Sequence, residues 1–244
     1  MMNKGLPSIL PAIATITTIA TIALGSPITG AHAETVVFGG AEGSRNSNYA
    51  YLGGVSPFDG NELGRGWYKK AVISMIHYRY ESTEQGPATD VNGKAPIVEA
   101  GVGHAWQFGE QMLDLSATAG YRHVSLSPFD PKDEKKGNIL TLNPQLMAYT
   151  PLAGKVDADL IANYNMGLGS SFARLRSGYK QDTGVRFGLE AKRLEGRTYL
   201  THMLGAFIAI PLQGKLTLEL NVGREKPRDD DPATYAGIAF STAF

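Results

Sequence analysis

The sequence contains no cysteine. That removes disulfides, thiolate nucleophiles and cysteine-bearing metal sites together. It also suits a chain that crosses an oxidising periplasm. An excess of charge is missing as well: 23 Lys+Arg stand against 23 Asp+Glu, for a formal net charge of zero. A balanced chain gives no electrostatic case for nucleic acid as a partner. Walker, zinc-finger and dinucleotide fingerprints are absent too. Beyond the N-terminal segment, no run reaches the roughly 18 consecutive apolar residues of a spanning helix. If the remaining chain lives in a membrane, it must do so as a closed barrel, whose strands leave no backbone group unpaired in lipid.

The first segment reads as a targeting signal. It carries one charge, Lys4, then an apolar and small-residue run from Ile9 to Leu24, then Ala31-His32-Ala33. This is the n-region, h-region and A-x-A pattern of a secretory signal peptide. Residues 1–33 are assigned to it, with cleavage after Ala33, and residues 34–244 to a single barrel domain.

The rest of the chain alternates with period two. Leu113, Leu115, Ala117, Ala119 and Tyr121 oppose Asp114, Ser116, Thr118 and Arg122. Val156, Ala158, Leu160, Ala162 and Tyr164 oppose Asp157, Asp159 and Asn163, and Leu216, Leu218, Leu220 and Val222 oppose Thr217, Glu219 and Asn221. Two faces of different polarity on one strand require two environments. A soluble sandwich and a membrane barrel both supply them, with opposite sides buried, so alternation alone leaves both open.

Connectivity favours the barrel. Turn signals cut the chain into about twelve strands, over 35–44, 48–57, 67–82, 96–108, 111–126, 137–151, 155–166, 171–181, 185–196, 198–211, 215–227 and 234–244. Several match the roughly 9–11 residues a tilted strand needs to cross hydrocarbon. Short turns at Gly109-Glu110, Ala153-Gly154, Asp182-Thr183-Gly184 and Gln213-Gly214 alternate with the polar loops STEQGPATDVNGK, SPFDPKDEKK and REKPRDDDP. Short turns on one rim and long loops on the other describe an outer-membrane barrel. The expected fold is therefore all-β: an antiparallel, up-and-down transmembrane barrel in the outer membrane, touching its lipid. The terminal stretch YAGIAFSTAF fits this. Ala236, Ile238, Phe240 and Thr242 share a face that ends at Phe244, which reads as a barrel-closure signal at the membrane boundary. Pro144, inside a strand, and His104 and Ser177, on faces expected to meet lipid, fit the pattern poorly.

The polar faces collect charges of both signs. Arg79, Glu99, Asp114, Arg122, Asp157, Asp159, Arg174, Arg176, Arg186, Glu190 and Glu219 are the candidates to line the lumen, with Lys192 beside them. They are expected either to pair across a filled polar core or to line a hydrated passage for an uncharged polar chain such as a glucan. Trp67, Tyr68, Tyr78, Tyr80, Tyr49, Tyr51 and Trp106 are expected near strand ends or on outward faces, as interfacial girdles. A sugar-stacking platform is the other use for such rings.

Catalytic patterns are thin. His123 and Ser125 share a strand face, but no G-x-S-x-G elbow accompanies them. Asp157 and Asp159, about 7 Å apart on one face, match the carboxylate separation of an inverting glycosidase, yet nothing sugar-specific flanks them. DDDP at 229–232 and DPKDE at 130–134 lack EF-hand spacing and read as solvated loop charge. No catalytic residue, metal or cofactor is expected.

Several stretches together resemble one family: FGGAEGSRNSNYAYLGGVSPFDG (38–60), GRGWYKKAVISMIHYRYES (64–82), AGVGHAWQF (100–108), YRHVSLSPFDP (121–131), RLRSGY (174–179), FGLEAKRLEG (187–196) and YAGIAF (235–240). They are similar to the BcsS-type cellulose biosynthesis proteins of Gram-negative bacteria. The resemblance implies a non-enzymatic envelope protein that supports cellulose synthesis or export, either passing the glucan or organising the synthesis machinery. A general outer-membrane channel for small polar solutes is the alternative, and an envelope Ser/His hydrolase a more distant one.

Overall fold

The computed structural model describes residues 35–82, 89–130, 136–197, 199–213, 215–228 and 230–244. The assigned signal segment lies outside the described residues. Twelve strands follow in order: β1 (Val36–Gly43), β2 (Ser47–Pro57), β3 (Gly66–Ser82), β4 (Thr89–Phe108), β5 (Gln111–Ser127), β6 (Gly137–Ala153), β7 (Val156–Asn165), β8 (Ser170–Lys180), β9 (Arg186–Gly196), β10 (Tyr199–Pro211), β11 (Thr217–Pro227) and β12 (Ala233–Ala243). Each pairs antiparallel with its neighbours in sequence, and β12 closes on β1. Backbone bonds tie the seam: Thr35 N–H to the Phe244 carbonyl at 3.2 Å and Phe244 N–H to the Thr35 carbonyl at 2.9 Å. Closure removes every edge strand.

Alternation decides which side chains turn inward. On β7, Asp157, Asp159, Ile161, Asn163 and Asn165 are buried in the barrel, while Ala158, Leu160, Ala162 and Tyr164 face out. Leu140, Leu189, Leu204 and Val222 lie on the outward face at 80%, 71%, 69% and 54% exposure. That is the apolar belt a membrane barrel requires.

Strand lengths are uneven. β4 runs for 20 residues and β3, β5 and β6 for 17 each, against 10 or 11 in β7, β8 and β9. At about 3.3 Å per residue, β3–β6 project well past what hydrocarbon needs, at the rim opposite the termini. β4 therefore begins at Thr89 and not at residue 96: half of the expected loop STEQGPATDVNGK is strand, paired with β3 from Thr89 onward. Pro144 fits for a related reason. Pairing of β6 with β7 starts only at Gln145. The Leu142 carbonyl, two residues before Pro144 and facing the same neighbour, accepts from Met166 N–H at 3.0 Å. The missing donor thus falls where the ladder ends.

A second regularity lies inside. Five inward tyrosines are each paired in register with a glycine: Tyr51 with Gly40, Tyr68 with Gly103, Tyr78 with Gly93, Tyr199 with Gly196 and Tyr235 with Gly223. Each ring lies over the bare backbone opposite, where a Cβ would collide with it. Aromatic cover of a strand glycine restores packing that the missing side chain gives up.

Candidate functional site

The inward charges assemble into one connected network on the β7–β9 wall and across the lumen from it. Arg176 on β8 makes a fork-to-fork pair with Glu219 on β11, Nη1 to Oε2 at 2.8 Å and Nη2 to Oε1 at 2.7 Å, while its Nε reaches Glu190 at 2.9 Å. Arg186 on β9 spans Asp157 and Asp159 on β7, with Nη2 at 2.5 Å and 2.7 Å. Arg174 lies 3.7 Å from Asp159. Lys192 bridges Glu190 on its own strand at 2.9 Å and Glu42 on β1 at 2.5 Å, so one side chain crosses the lumen. Asn221 donates to Glu42 at 2.7 Å and Tyr235 Oη to Glu190 at 2.9 Å. The guanidinium groups of Arg176 and Arg186 stack on Phe207, 4.5 Å and 4.9 Å from its centroid.

A second cluster occupies the β3–β6 side. Tyr68 Oη donates to Asp114 at 2.7 Å, Lys70 Nζ to Gln145 at 3.1 Å, and Asn143 to both Thr141 and Glu99. Arg122, 1% exposed, lies within electrostatic reach of Glu99.

This arrangement nearly balances its charge, with one carboxylate in excess. Four cations (Arg174, Arg176, Arg186, Lys192) face five carboxylates (Glu42, Asp157, Asp159, Glu190, Glu219) in the first cluster. It also fills its space. The Arg176 and Glu190 side chains are both 0% exposed, although they point into the barrel. Above the charges, at the rim opposite the termini, the inward face turns apolar. Tyr78, Tyr80, Val91, Ala95 and Val124 cluster there, and Tyr80 Oη donates to the buried Asp130 at 3.1 Å.

Ten of the eleven candidate lining residues thus point inward. Arg79 does not. It is exposed between the buried Tyr78 and Tyr80, so it faces out. The reason is position: this part of β3 stands above the apolar belt, where the outside is aqueous and the polar side chain belongs there. The tyrosines need a correction as well. Tyr49, Tyr51, Tyr68, Tyr78 and Tyr80 are buried inside the barrel and are not girdle residues. Trp67 and Trp106 do face out, on either side of His104, which explains that histidine's outward position. Ser177 faces out as well, among exposed neighbours on β8.

Glu42, Lys70, Asn143, Gln145, Asn221 and Tyr235 belong to the network without having stood out in the sequence. Their signal was inward parity alone. On β1 that signal is masked, because Val36 and Phe38 share the inward face with Glu42.

The catalytic patterns find little support in the geometry. His123 and Ser125 sit on the outward face, and the His123 ring is held by Asn138 at 2.6 Å. Asp157 and Asp159 are both engaged by Arg186. Asp230 accepts from Asn46 at 2.9 Å, and residues 131–135 and 229 lie outside the described set. Among the described residues, no three His, Asp or Glu side chains gather as a metal site.

No curated protein sequence matches the chain. Solved structures match its fold. An outer membrane channel from Pseudomonas putida F1, described as COG4313, shares 13% identity over 100% of both chains with a TM-score of 0.54. The transport unit of the autotransporter AIDA-I from Escherichia coli shares 9% identity over 91% of this chain and 96% of that one, with a TM-score of 0.53. The translocator domain of NalP from Neisseria meningitidis shares 11% over 91% and 92%, with a TM-score of 0.51. All three are outer-membrane barrels, and this chain has their architecture. The family model for the cellulose biosynthesis protein BcsS matches residues 36–244, from the first strand to the last residue of the sequence, and the chain belongs to that family.

Proposed function

We propose that this barrel supports bacterial cellulose production from the outer membrane as a closed, non-enzymatic element, organising the export machinery without conducting the glucan through its own lumen. The observation that carries the reading is the burial of the inward-pointing Arg176 and Glu190, both 0% exposed. A glucan passing there would have to break the Arg176–Glu219 fork and the Lys192–Glu42 bridge. Each of those pairs is costly to open once buried. The inward tyrosines support the same reading, since Tyr68, Tyr78, Tyr199 and Tyr235 are buried and offer little ring surface to a sugar.

The test has two arms. Deleting the gene is expected to reduce or disorganise surface cellulose, and unchanged output and arrangement would remove the cellulose role. The purified barrel in a planar bilayer is expected to stay electrically silent. A general channel for small polar solutes remains the second reading. One observation favours it: Arg186 and Glu219 keep 13% and 17% of their side chains exposed, so water reaches part of the network. Steady conductance steps would establish that reading over the closed one.

A further inference from the structure

The outward surface differs between its two rims. Toward the terminus-bearing rim it carries rings. His104 stands between Trp67 and Trp106, with centroids at 4.9 Å and 4.3 Å, and Tyr179 packs on Phe187 at 5.7 Å. Basic residues stand on that side too: Lys69 and His104 on outward strand positions, Lys180 at the end of β8, and Arg65, Lys155 and Lys215 in the connecting turns, with Lys155 paired to Asp182. Toward the other rim, the apolar belt stops on basic residues. Along β9 the outward positions run Phe187, Leu189, Ala191 and then Arg193. Along β10, read from the same end, they run Ile210, Ile208, Ala206, Leu204 and then His202. Along β11 they run Leu218, Leu220, Val222 and then Arg224 and Lys226.

Register brings these together. Arg193 is paired with His202, His202 with Lys226, and Arg224 with Leu204. All four basic residues are exposed. Opposed side chains on antiparallel strands have Cβ atoms about 4.5–5.5 Å apart, so Arg193, His202 and Lys226 form a row about 10 Å long. Arg193 and Lys226 thus flank His202, and with Arg224 they concentrate positive charge where the apolar belt ends, a place that attracts an anion from outside. Of the neighbouring acids, Glu195 pairs with Arg193 at 2.8 Å, Asp230 is held by Asn46, and Glu225 points into the barrel. The same step recurs on β3 and β4. Above Ile73 and Met75, His77 is paired with Lys94 and Arg79 with Asn92, while Glu81 and Asp90 follow further up.

We propose that these rows bind the phosphate-bearing sugar headgroups of glycolipids in the outer leaflet. The longer strands and loops stand at this rim, which places it on the extracellular side. Acyl chains packed on Leu189, Leu204 and Val222 would bring their own headgroups level with Arg193, His202, Lys226 and Arg224. Guanidinium and ammonium groups bind phosphate through charge-assisted hydrogen bonds, and basic clusters beside a lipid-facing surface select anionic headgroups. The inference does not depend on the cellulose role and survives its failure.

The test uses the full barrel purified in detergent and a bisphosphorylated, acylated glucosamine disaccharide as probe. Binding is measured by native mass spectrometry against the enzymatically dephosphorylated probe. The phosphorylated form is expected to bind at least tenfold more tightly, and inorganic phosphate at equal concentration is expected not to displace it. An Arg193→Ser, Arg224→Ser, Lys226→Ser triple variant, checked for folding by heat-modifiable migration, should lose that tenfold preference. Arg193→Lys with Lys226→Arg should keep it. Equal binding of both probe forms overturns the proposal, and this comparison needs no variant to fold. Displacement by inorganic phosphate also overturns it, since that marks a simple anion site. So does full binding by the folded triple variant.

Discussion

On the wall formed by β7, β8, β9 and β11, inward positions carry Asp157, Asp159, Arg174, Arg176, Arg186, Glu190 and Glu219. On the wall formed by β1 to β4, the same parity carries Val36, Phe38, Tyr49, Tyr51, Val72, Ile76 and Tyr78, with only Glu42, Lys70 and Glu99 as charges among them. The first wall is held mainly by directional pairing of charges, and the second mainly by the fit of rings and aliphatic groups. The difference predicts how each fails. A charge that loses its partner stays buried and unpaid, whereas a truncated apolar group leaves only a gap.

The largest effect is expected where a cation serves several carboxylates. Arg176→Ala strips Glu219 of its fork partner and leaves Lys192 as the bridging cation of Glu190, and is expected to cost about 3–5 kcal/mol, read as a lower midpoint in urea titrations of the heat-modifiable folded band. A loss under 1 kcal/mol would mean that water already solvates this wall. Tyr235→Phe removes one hydrogen bond to the charged Glu190 and is expected to cost about 1.5–3 kcal/mol by the same assay. It tests whether a ring on a glycine also matters through its hydroxyl. Gly205→Ala probes fit alone. Its Cβ would meet Tyr235 Oη and, at 2.5 Å, the Val222 carbonyl oxygen, and overpacking of this kind costs about 1–3 kcal/mol. The smallest effect belongs to an ion pair outside both walls. Lys155→Ala breaks an exposed bridge to Asp182, with 43% and 88% of the two side chains exposed, and is expected to change stability by less than about 1 kcal/mol. If it matched Arg176→Ala, burial would not be what sets the charged wall apart.

Legibility followed the same division. Where the outside is lipid and the inside polar, as on β5, β7 and β11, period-two polarity separated the faces, and Asp114, Arg122, Asp157, Asp159 and Glu219 could be placed from sequence. Strand ends were legible wherever a short turn carried glycine, as at Gly109 and Gly154, whose φ values are 63° and 57°. The reading faltered above the belt. There both surroundings change: the outside becomes water and the inside becomes apolar, so the polarity rule inverts between Met75 and Tyr78. That inversion accounts for Arg79, Tyr78 and Tyr80, whereas Tyr68, at the other end of β3, points inward because its ring covers Gly103 and its hydroxyl bonds Asp114. The start of β4 was missed because Asp90, Asn92 and Gly93 have loop composition, and only pairing with β3 makes them strand. Glu42 was hidden by apolar neighbours on its own face. The cross-lumen bridge to Lys192 joins residues 150 positions apart, a juxtaposition that strand periodicity does not encode.

The seam between β1 and β12 carries a kinetic consequence. Val36 registers against Ala243 and Gly43 against Ala236, so the contacts that complete the ring are the most non-local in the molecule. Contacts of such high sequence separation form late, because the whole intervening chain must be ordered first. Until they form, β1 and β12 both present open edges, the features that invite wrong pairing. The neighbouring hairpins can zip locally, but the cylinder exists only after its last strand arrives. The time spent open at this seam is therefore the interval in which the chain most needs a chaperone or an assembly factor to hold its edges apart from other chains.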